Sequence, residues 1–318
     1  MVSEIFKQHK MKKVLIFGVG GFVGPYLAQE FMEQGYIVYG SDLVKGDRLQ
    51  DEVEFFQADL LHADAVRHII NQLQPNIIIN LAAVSSVGQS WKIPQKTIEV
   101  NIVGTLNILE AVKELQPMPK VLLVGSSEEY DVSDKPINEL MILKANNPYG
   151  ISKVAQERFA NIYKVQYGMQ IYHVRPFNHT GVGQKDTFVL PSFCKQAAEI
   201  EKSGKPGVIK VGNLTARRDF GHVKDLMHAY RLIVESPYCD TVYNVGTGHA
   251  HSLREMLNYI ISLCSQPIKV EVDTSRVRPI DNPVICCDYS KIKAELGWEP
   301  QYKVFDALKE MFNYYLEH

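Results

Sequence analysis

Apolar positions along the chain fall into short unbroken runs, each followed by a stretch in which they recur every three or four residues. Residues 13–17 (KVLIF) form the first run, apolar from Val14 onward, which is the pattern of a strand buried on both faces; residues 25–34 then carry helical spacing. The alternation predicts further strands near 37–40, 53–57, 77–81, 121–124 and 171–174, with helices near 63–73, 97–115 and 148–166 between them. Strands alternating with helices in this way predict an α/β fold, a doubly wound parallel sheet of Rossmann type with right-handed crossovers.

Past Arg175 the rhythm loosens into segments rich in Gly, Asn and Pro, with helices near 190–202, 223–235, 253–263 and 290–296 and one more strand near 241–245. The expected division is a sheet domain over residues 1–178, with a returning segment near 215–248, and a smaller C-terminal lobe over 179–318.

Composition narrows the possibilities. With 46% hydrophobic and 22% charged residues the chain of 318 is globular rather than disordered, and a net charge of -2 leaves no basic footprint for nucleic acid. None of the five cysteines (Cys194, Cys239, Cys264, Cys286, Cys287) stands in a C-x-x-C pair or at zinc-ligand spacing from histidine, so no metal site is expected. Cys286 and Cys287 are adjacent in a strand-like run, where neighbouring side chains point to opposite faces and do not bridge. The first ten residues lack the apolar core of a secretory signal, and no apolar run is long enough to span a bilayer; the expectation is a cytoplasmic protein without a membrane partner.

The chemistry begins where the first strand meets the first helix, at Gly18-Val19-Gly20-Gly21-Phe22-Val23-Gly24. Read as G-x-x-G-x-x-G, with Gly18, Gly21 and Gly24, it is a turn that needs special backbone angles and lets backbone approach a pyrophosphate at a helix N-terminus. Asp42, 24 residues after Gly18 at the end of the second strand, is spaced to bind adenosine ribose hydroxyls and to repel a 2'-phosphate; it is otherwise a turn residue. The cofactor expected is therefore NAD(H), with NADP(H) kept open by Lys45 and Arg48 nearby. Asp59 and Leu60 after the third strand face either the adenine or, for Asp59, a helix N-cap, and Leu81, Ala82 and Ala83 end the fourth strand with side chains small enough for cofactor or core.

Tyr149 and Lys153 stand four apart just after Pro148, on one face of a helix's first turns. An ammonium beside a phenol favours the phenolate and lowers its pKa, and Ser126 at the end of the fifth strand can hydrogen-bond the reacting oxygen. Y-x-x-x-K alone is common in packed helices; the glycine turn, Asp42 and Ser126 give it meaning.

Together with Ser126-Ser127-Glu128-Glu129-Tyr130, Tyr149-Gly150-Ile151-Ser152-Lys153 and Arg175-Pro176-Phe177-Asn178-His179, the glycine turn resembles that of extended short-chain dehydrogenases acting on nucleotide sugars, from about Lys12 onward. Within the family, Gly181-Val182-Gly183-Gln184 and Val211-Gly212-Asn213-Leu214 resemble the GDP-4-keto-6-deoxy-D-mannose reductases, and residues 218–225 the GDP-mannose 4,6-dehydratases. The resemblance implies an NAD(P)H-dependent reduction of a C4 ketone on a GDP-sugar substrate, with Ser126, Glu128, Tyr149 and Lys153 as catalytic residues; dehydration or 4-epimerisation is the alternative. It implies substrate contacts from Asn178, Val189, Asn213, Arg218, Arg278 and Asp281, and a homodimer through the helices near 97–115 and 149–166. Asn178 and Asn213 are equally readable as turn residues, and Arg218 as half of an ion pair with Asp219 or Glu235. Glu128 is either the carboxylate a dehydratase uses at C5 or an anchor for its loop. Relatives that only sense dinucleotides commonly lack the Tyr-Lys pair. One departure is Asp131, where the family usually has glycine.

Overall fold

The structure is a computed structural model that describes residues 11–239, 241–274 and 283–318. In chain order the elements are β1 (Lys13–Phe17), α1 (Gly24–Glu33), β2 (Ile37–Asp42), β3 (Glu54–Gln57), α2 (Ala63–Leu73), β4 (Ile77–Asn80), α3 (Val87–Lys92), α4 (Pro94–Ile98), α5 (Gly104–Val112), β5 (Lys120–Val124), α6 (Pro148–Tyr167), β6 (Ile171–Pro176), β7 (Asn178–Thr180) and α7 (Val189–Ser203). They continue with β8 (Gly207–Val211), β9 (Arg217–His222), α8 (Val223–Glu235), β10 (Val242–Val245), β11 (Ala250–Ser252), α9 (Leu253–Ser262), β12 (Ile268–Val272), β13 (Val284–Ile285), α10 (Ser290–Leu296) and α11 (Val304–Glu317).

Seven strands form one parallel sheet in the order β10-β6-β5-β4-β1-β2-β3, a Rossmann-type α/β fold. The chain winds outward from β1 through β2 and β3, then crosses back to β4 and winds the other way. The crevice between β1 and β4 is thus the topological switch point, at whose carboxyl edge ligands bind in such sheets. Strand periodicity divides each apolar run between two cores. Val14, Ile16, Ile77 and Ile79 pack with α1 and α8 on one face, while Leu15, Phe17 and Ile78 pack with α2 and α5 on the other. All are at most 4% exposed, each contributing about 1.5–3 kcal/mol of burial. A third core lies among α7, α9 and α11, built on Phe193, Leu257, Leu308 and Phe312.

The predicted helix 97–115 differs in detail. It starts at Pro94, passes through a π-helical turn over Glu99–Val103 and ends at Val112. The extra residue of the π turn gives buried Asn101 a place to bond two other elements, described below. The short strands β7, β8, β9, β11 and β12 pair within the C-terminal half and are not foreshadowed by periodicity, whereas β13 falls in the strand-like run that holds Cys286 and Cys287; neither α3 nor α11 is in the sequence reading. The five cysteines are free. Among the described residues no helix is long and apolar enough to cross a membrane.

Candidate active site

Parallel topology brings the exits of β1, β2, β4, β5 and β6 to one edge, and with them Gly18, Asp42, Leu81, Ser126 and Asn178. The glycine turn is fixed by what it leaves out. Gly18 has φ +81°, and a Cβ there would stand 2.5 Å from the Ala82 nitrogen. Its N–H donates to the Ser41 carbonyl at 2.8 Å, and Leu81 N–H donates to Phe17 O at 2.9 Å. At Gly24 a Cβ would meet the Val19 carbonyl at 2.0 Å, so α1 leaves β1 closely packed. Gly21 is different: it is exposed, and its added Cβ would meet nothing nearer than Gly18 O at 3.4 Å. Val23, the N-cap of α1, makes no side-chain capping bond, so no side chain caps the helix start beside this unobstructed glycine, where an anionic group can be held. Phe22 stacks on His179 at 6.1 Å.

Gly20, which the spacing left unassigned, has its own constraint. Its N–H donates to Asp42 Oδ2 at 2.9 Å, and a Cβ would lie 2.3 Å from Val44 O. Asp42 also accepts from Leu43 N–H at 2.7 Å; burial raises its carboxyl above the usual range against those two bonds. Arg48 lies over the Tyr26 ring at 4.8 Å and Lys45 faces Asp51 at 4.0 Å, so both cations have partners other than Asp42.

At the exit of β5, Ser126 precedes a 3-10 turn (Ser127–Glu129), and its Oγ accepts from Glu128 N–H at 3.1 Å. The helix α6 starts where Asn147 caps it, accepting from Gly150 N–H at 2.9 Å, with Pro148 in its first turn. Asn147 Nδ2 also donates to Glu128 Oε2 at 2.9 Å, and a Cβ on Gly150 would meet Glu128 O at 2.3 Å. Glu128 therefore links the β5 exit to the start of α6. The Tyr149 phenol lies near enough to Ser126 for the serine to oppose the rise that burial causes in the phenol.

The expected lowering of the phenol by Lys153 is not found. Burial holds Tyr149 above its ordinary value; the nearby Ser126 opposes this, and the charges of Glu129 and Glu128 reinforce it. The Lys153 ammonium is 5.8 Å from the Tyr149 ring centre but spends its bonds on Val124 O at 2.7 Å and Gln156 Oε1 at 3.1 Å. Buried to 3% exposure, it is brought down to about 8 by desolvation, against the pull of Glu129. In this arrangement the phenol keeps its proton and can give it away.

Three supporting groups escaped the sequence reading. Asn101, in the π turn, accepts from Val84 N–H at 2.8 Å and donates to Ser152 Oγ at 2.9 Å, tying the β4 exit to α6 beside Lys153. Asn147 is the second. The third is a buried polar cluster of Glu129, Glu157, His173 and Arg175 behind Ser126, with Arg175 donating to Glu157 at 2.7 Å and to Tyr130 Oη at 2.7 Å. Only an asparagine within an apolar helix, and charges inside strand and helix patterns, hinted at them.

Other predicted positions resolve variously. Asp59 is not the N-cap of α2, which is His62; its Oδ1 accepts from Leu61 N–H at 2.9 Å in a turn three residues earlier. The Leu60 side chain is buried against Gly104. Ala82 N–H donates to Asn80 Oδ1 at 3.1 Å, and Ala83 is half-buried beside it. Asn178 opens β7, paired with β9. Exposed Asn213 accepts from Thr215 N–H at 2.9 Å, a turn contact. Half-buried Val189 opens α7 and packs on the third core. Arg218 lies in β9 and donates to Arg217 O at 2.9 Å. Its sequence neighbour Asp219 is turned inward onto Thr247, Gly248 and Cys287. Arg278 and Asp281 lie outside the described residues. Asp131 sits in a turn without positive φ and accepts from Val132 N–H at 2.9 Å, so glycine is not required there.

A family model described as GDP-mannose 4,6 dehydratase matches residues 15–311. The chain belongs to this family. It is an enzyme of the extended short-chain dehydrogenase class, within a group of GDP-sugar dehydratases and reductases. GDP-6-deoxy-D-mannose reductase of Pseudomonas aeruginosa is 27% identical over 305 residues, 95% of this chain and 96% of the relative. GDP-mannose 4,6 dehydratase 2 of Arabidopsis thaliana is 30% identical, over 96% of this chain and 87% of the relative. The structure of RMD from Pseudomonas aeruginosa complexed with NADPH superposes with a TM-score of 0.81 at 25% identity, covering 97% of this chain and 99% of that one. Members of this GDP-mannose family thus include both reaction types that the Ser126, Tyr149 and Glu128 arrangement raises.

Proposed function

We propose that this enzyme reduces the C4 ketone of GDP-4-keto-6-deoxy-D-mannose to a GDP-6-deoxyhexose, GDP-D-rhamnose or its C4 epimer, with a nicotinamide dinucleotide as reductant. The observation that carries this reading is the Tyr149 phenol, placed beside Ser126 and held protonated by burial and neighbouring carboxylates. The likeness to GDP-6-deoxy-D-mannose reductase over 95% of the chain supports it.

The glycine turn fits a dinucleotide: Gly21 leaves room, and the uncapped start of α1 offers N–H donors to a diphosphate. Asp42, supported by Gly20 and Leu43, favours the ribose hydroxyls of NAD(H), and NADP(H) is the second choice. When bound, the nicotinamide supplies hydride to the C4 carbon. Tyr149 then delivers its proton to the C4 oxygen, Ser126 donates a hydrogen bond to that oxygen, and Lys153 holds the nicotinamide ribose while offsetting the negative charge left on the phenol. Asn178, Val189, Asn213, Arg218, Arg278 and Asp281 are assigned to the GDP-sugar. The domain reading follows the same division, residues 1–178 with the returning segment near 215–248 for the dinucleotide and 179–318 for the sugar nucleotide. A homodimer through the helices near 97–115 and 149–166 is supported by exposed apolar side chains there, with Val165 88% and Ile162 58% exposed.

Dehydration is the second reading, and it rests on Glu128 lying close enough to Tyr149 to raise it. Incubation with GDP-mannose, and separately with its 4-keto-6-deoxy derivative plus NADH, distinguishes the two. Stoichiometric NADH oxidation with the keto sugar alone is the expected result; a keto product from GDP-mannose without net NADH change rejects the reductase. Tyr149→Phe is expected to lose about 10²–10⁴-fold in turnover while still binding NADH.

A further inference from the structure

We propose that Glu129 is a positioning residue: its buried carboxylate sets the backbone at Ser126 and supplies the counter-charge to Lys153, so that one side chain adjusts two members of the site. This deepens the reductase reading and rests on it for the substrate used. Glu129 closes the 3-10 turn, and its side chain folds back beneath that turn to full burial, at 0% exposure. There Oε1 accepts from Ser126 N–H at 2.7 Å. With Ser126 Oγ taking the Glu128 N–H, the serine is held at both its amide and its hydroxyl, and the O–H is left to the phenol.

The strand end is shaped for this carboxylate. A Cβ on Gly125 would lie 2.2 Å from Glu129 Oε1 and 2.5 Å from His173 Nε2, so only glycine admits them. Glu129 Oε2 is buried without a hydrogen-bond partner and lies 3.4 Å from Arg175 Nε, a charge contact rather than a good hydrogen bond. A carboxylate that merely stapled the fold would be expected to use both oxygens. The charged groups around it are Arg175 and His173 of β6, Glu157 of α6, and Lys153 of α6. His173 Nε2 stands 3.7 Å from Glu129 and 3.3 Å from Glu157. Around Tyr149 are Glu128, Glu129 and, from α8, Tyr230. Arg175 is bidentate to Glu157 and stands 3.4 Å from Glu129, so the charge of Glu129 acts on Arg175 and Lys153 together. Burial has already brought that lysine down to about 8, and Glu129 is what opposes the fall.

The test uses Glu129→Gln, which keeps an acceptor for Ser126 N–H and removes the charge, and Glu129→Leu, which removes both. NADH binding is titrated by fluorescence across neutral and alkaline pH, and kcat and KM are measured with the keto sugar. Expected are an alkaline loss of NADH binding that moves to lower pH in Glu129→Gln, a kcat about 10-fold lower with KM within about twofold, and a further kcat loss in Glu129→Leu. A Glu129→Gln binding curve that superimposes on wild type overturns the counter-charge role. Wild-type kcat in Glu129→Leu overturns the positioning role; should that variant not fold, the kcat of Glu129→Gln decides. The binding titration needs no sugar. A shifted curve without turnover of any GDP-sugar would keep this inference and sink the substrate reading, and turnover with an unshifted curve would do the reverse.

Discussion

Backbone segments are brought together tightly in this enzyme by two opposite means. At the exit of β1 closeness is achieved by leaving side chains out: Gly18, Gly20 and Gly24 each face a backbone atom within 2.5 Å of where a Cβ would be. In the C-terminal half it is achieved by burying a carboxylate. Asp219 of β9, at 0% exposure, accepts from Thr247 N–H at 2.9 Å, Thr247 Oγ1 at 2.6 Å, Gly248 N–H at 2.9 Å and Cys287 N–H at 3.0 Å, gathering three separate segments. Asp225 does the same for Gln301 and Tyr302 N–H, both at 3.0 Å. Glycines keep a surface open to a ligand, whereas carboxylates fill space and hold loops that have no sheet of their own.

The contrast can be broken at either end. Asp219→Ala should have the largest effect on stability, about 3–5 kcal/mol in urea unfolding, because it leaves several buried donors unpaired at once. Gly18→Ala should cost about 2–3 kcal/mol through its positive φ and the clash with Ala82, and should abolish NADH binding with it. Gly21→Ala should change stability by less than about 0.5 kcal/mol yet weaken NADH binding about 10-fold, since its Cβ would enter space left for another molecule. Equal unfolding costs for Gly18→Ala and Gly21→Ala would erase the distinction between a glycine the fold needs and one the ligand needs.

The smallest effect is one of pH. Folded Lys153 is brought down to about 8 from an ordinary 10.5, so between those values the unfolded chain binds more protons than the folded one. Its contribution to stability therefore rises with pH through that window, while the ammonium is lost. Comparing unfolding free energies of wild type and Lys153→Met across it should reveal a slope present only in wild type.

The sheet was legible because its central strands are buried on both faces and read as apolar runs, as in Ile77–Asn80, flanked by helices with a clear stripe. The glycine turn and the Tyr149, Lys153 pair were legible because local spacing alone constrains them. What spacing could not convey was partnership. Asn147 and Asn101 act across 19 and 17 residues, and Glu128 as an anchor depends on where α6 begins. The inverted expectation for Tyr149 has the same origin: sequence shows the lysine four positions away, but not that its bonds go to Val124 and Gln156 or that burial dominates the phenol. The β9 and β11 pairing and the helix α11 belong to a half of the chain held by such long-range contacts, where short strands carry little pattern of their own.

The central claim is that hydride reaches C4 of the sugar while Tyr149 supplies the proton. Turnover of the keto sugar with NADH deuterated at both C4 positions of the nicotinamide, followed by NMR of the product, tests it directly. One deuterium at sugar C4, and none elsewhere, is the predicted result. Deuterium at C6, or a product formed with no label and no NADH consumed, would contradict it.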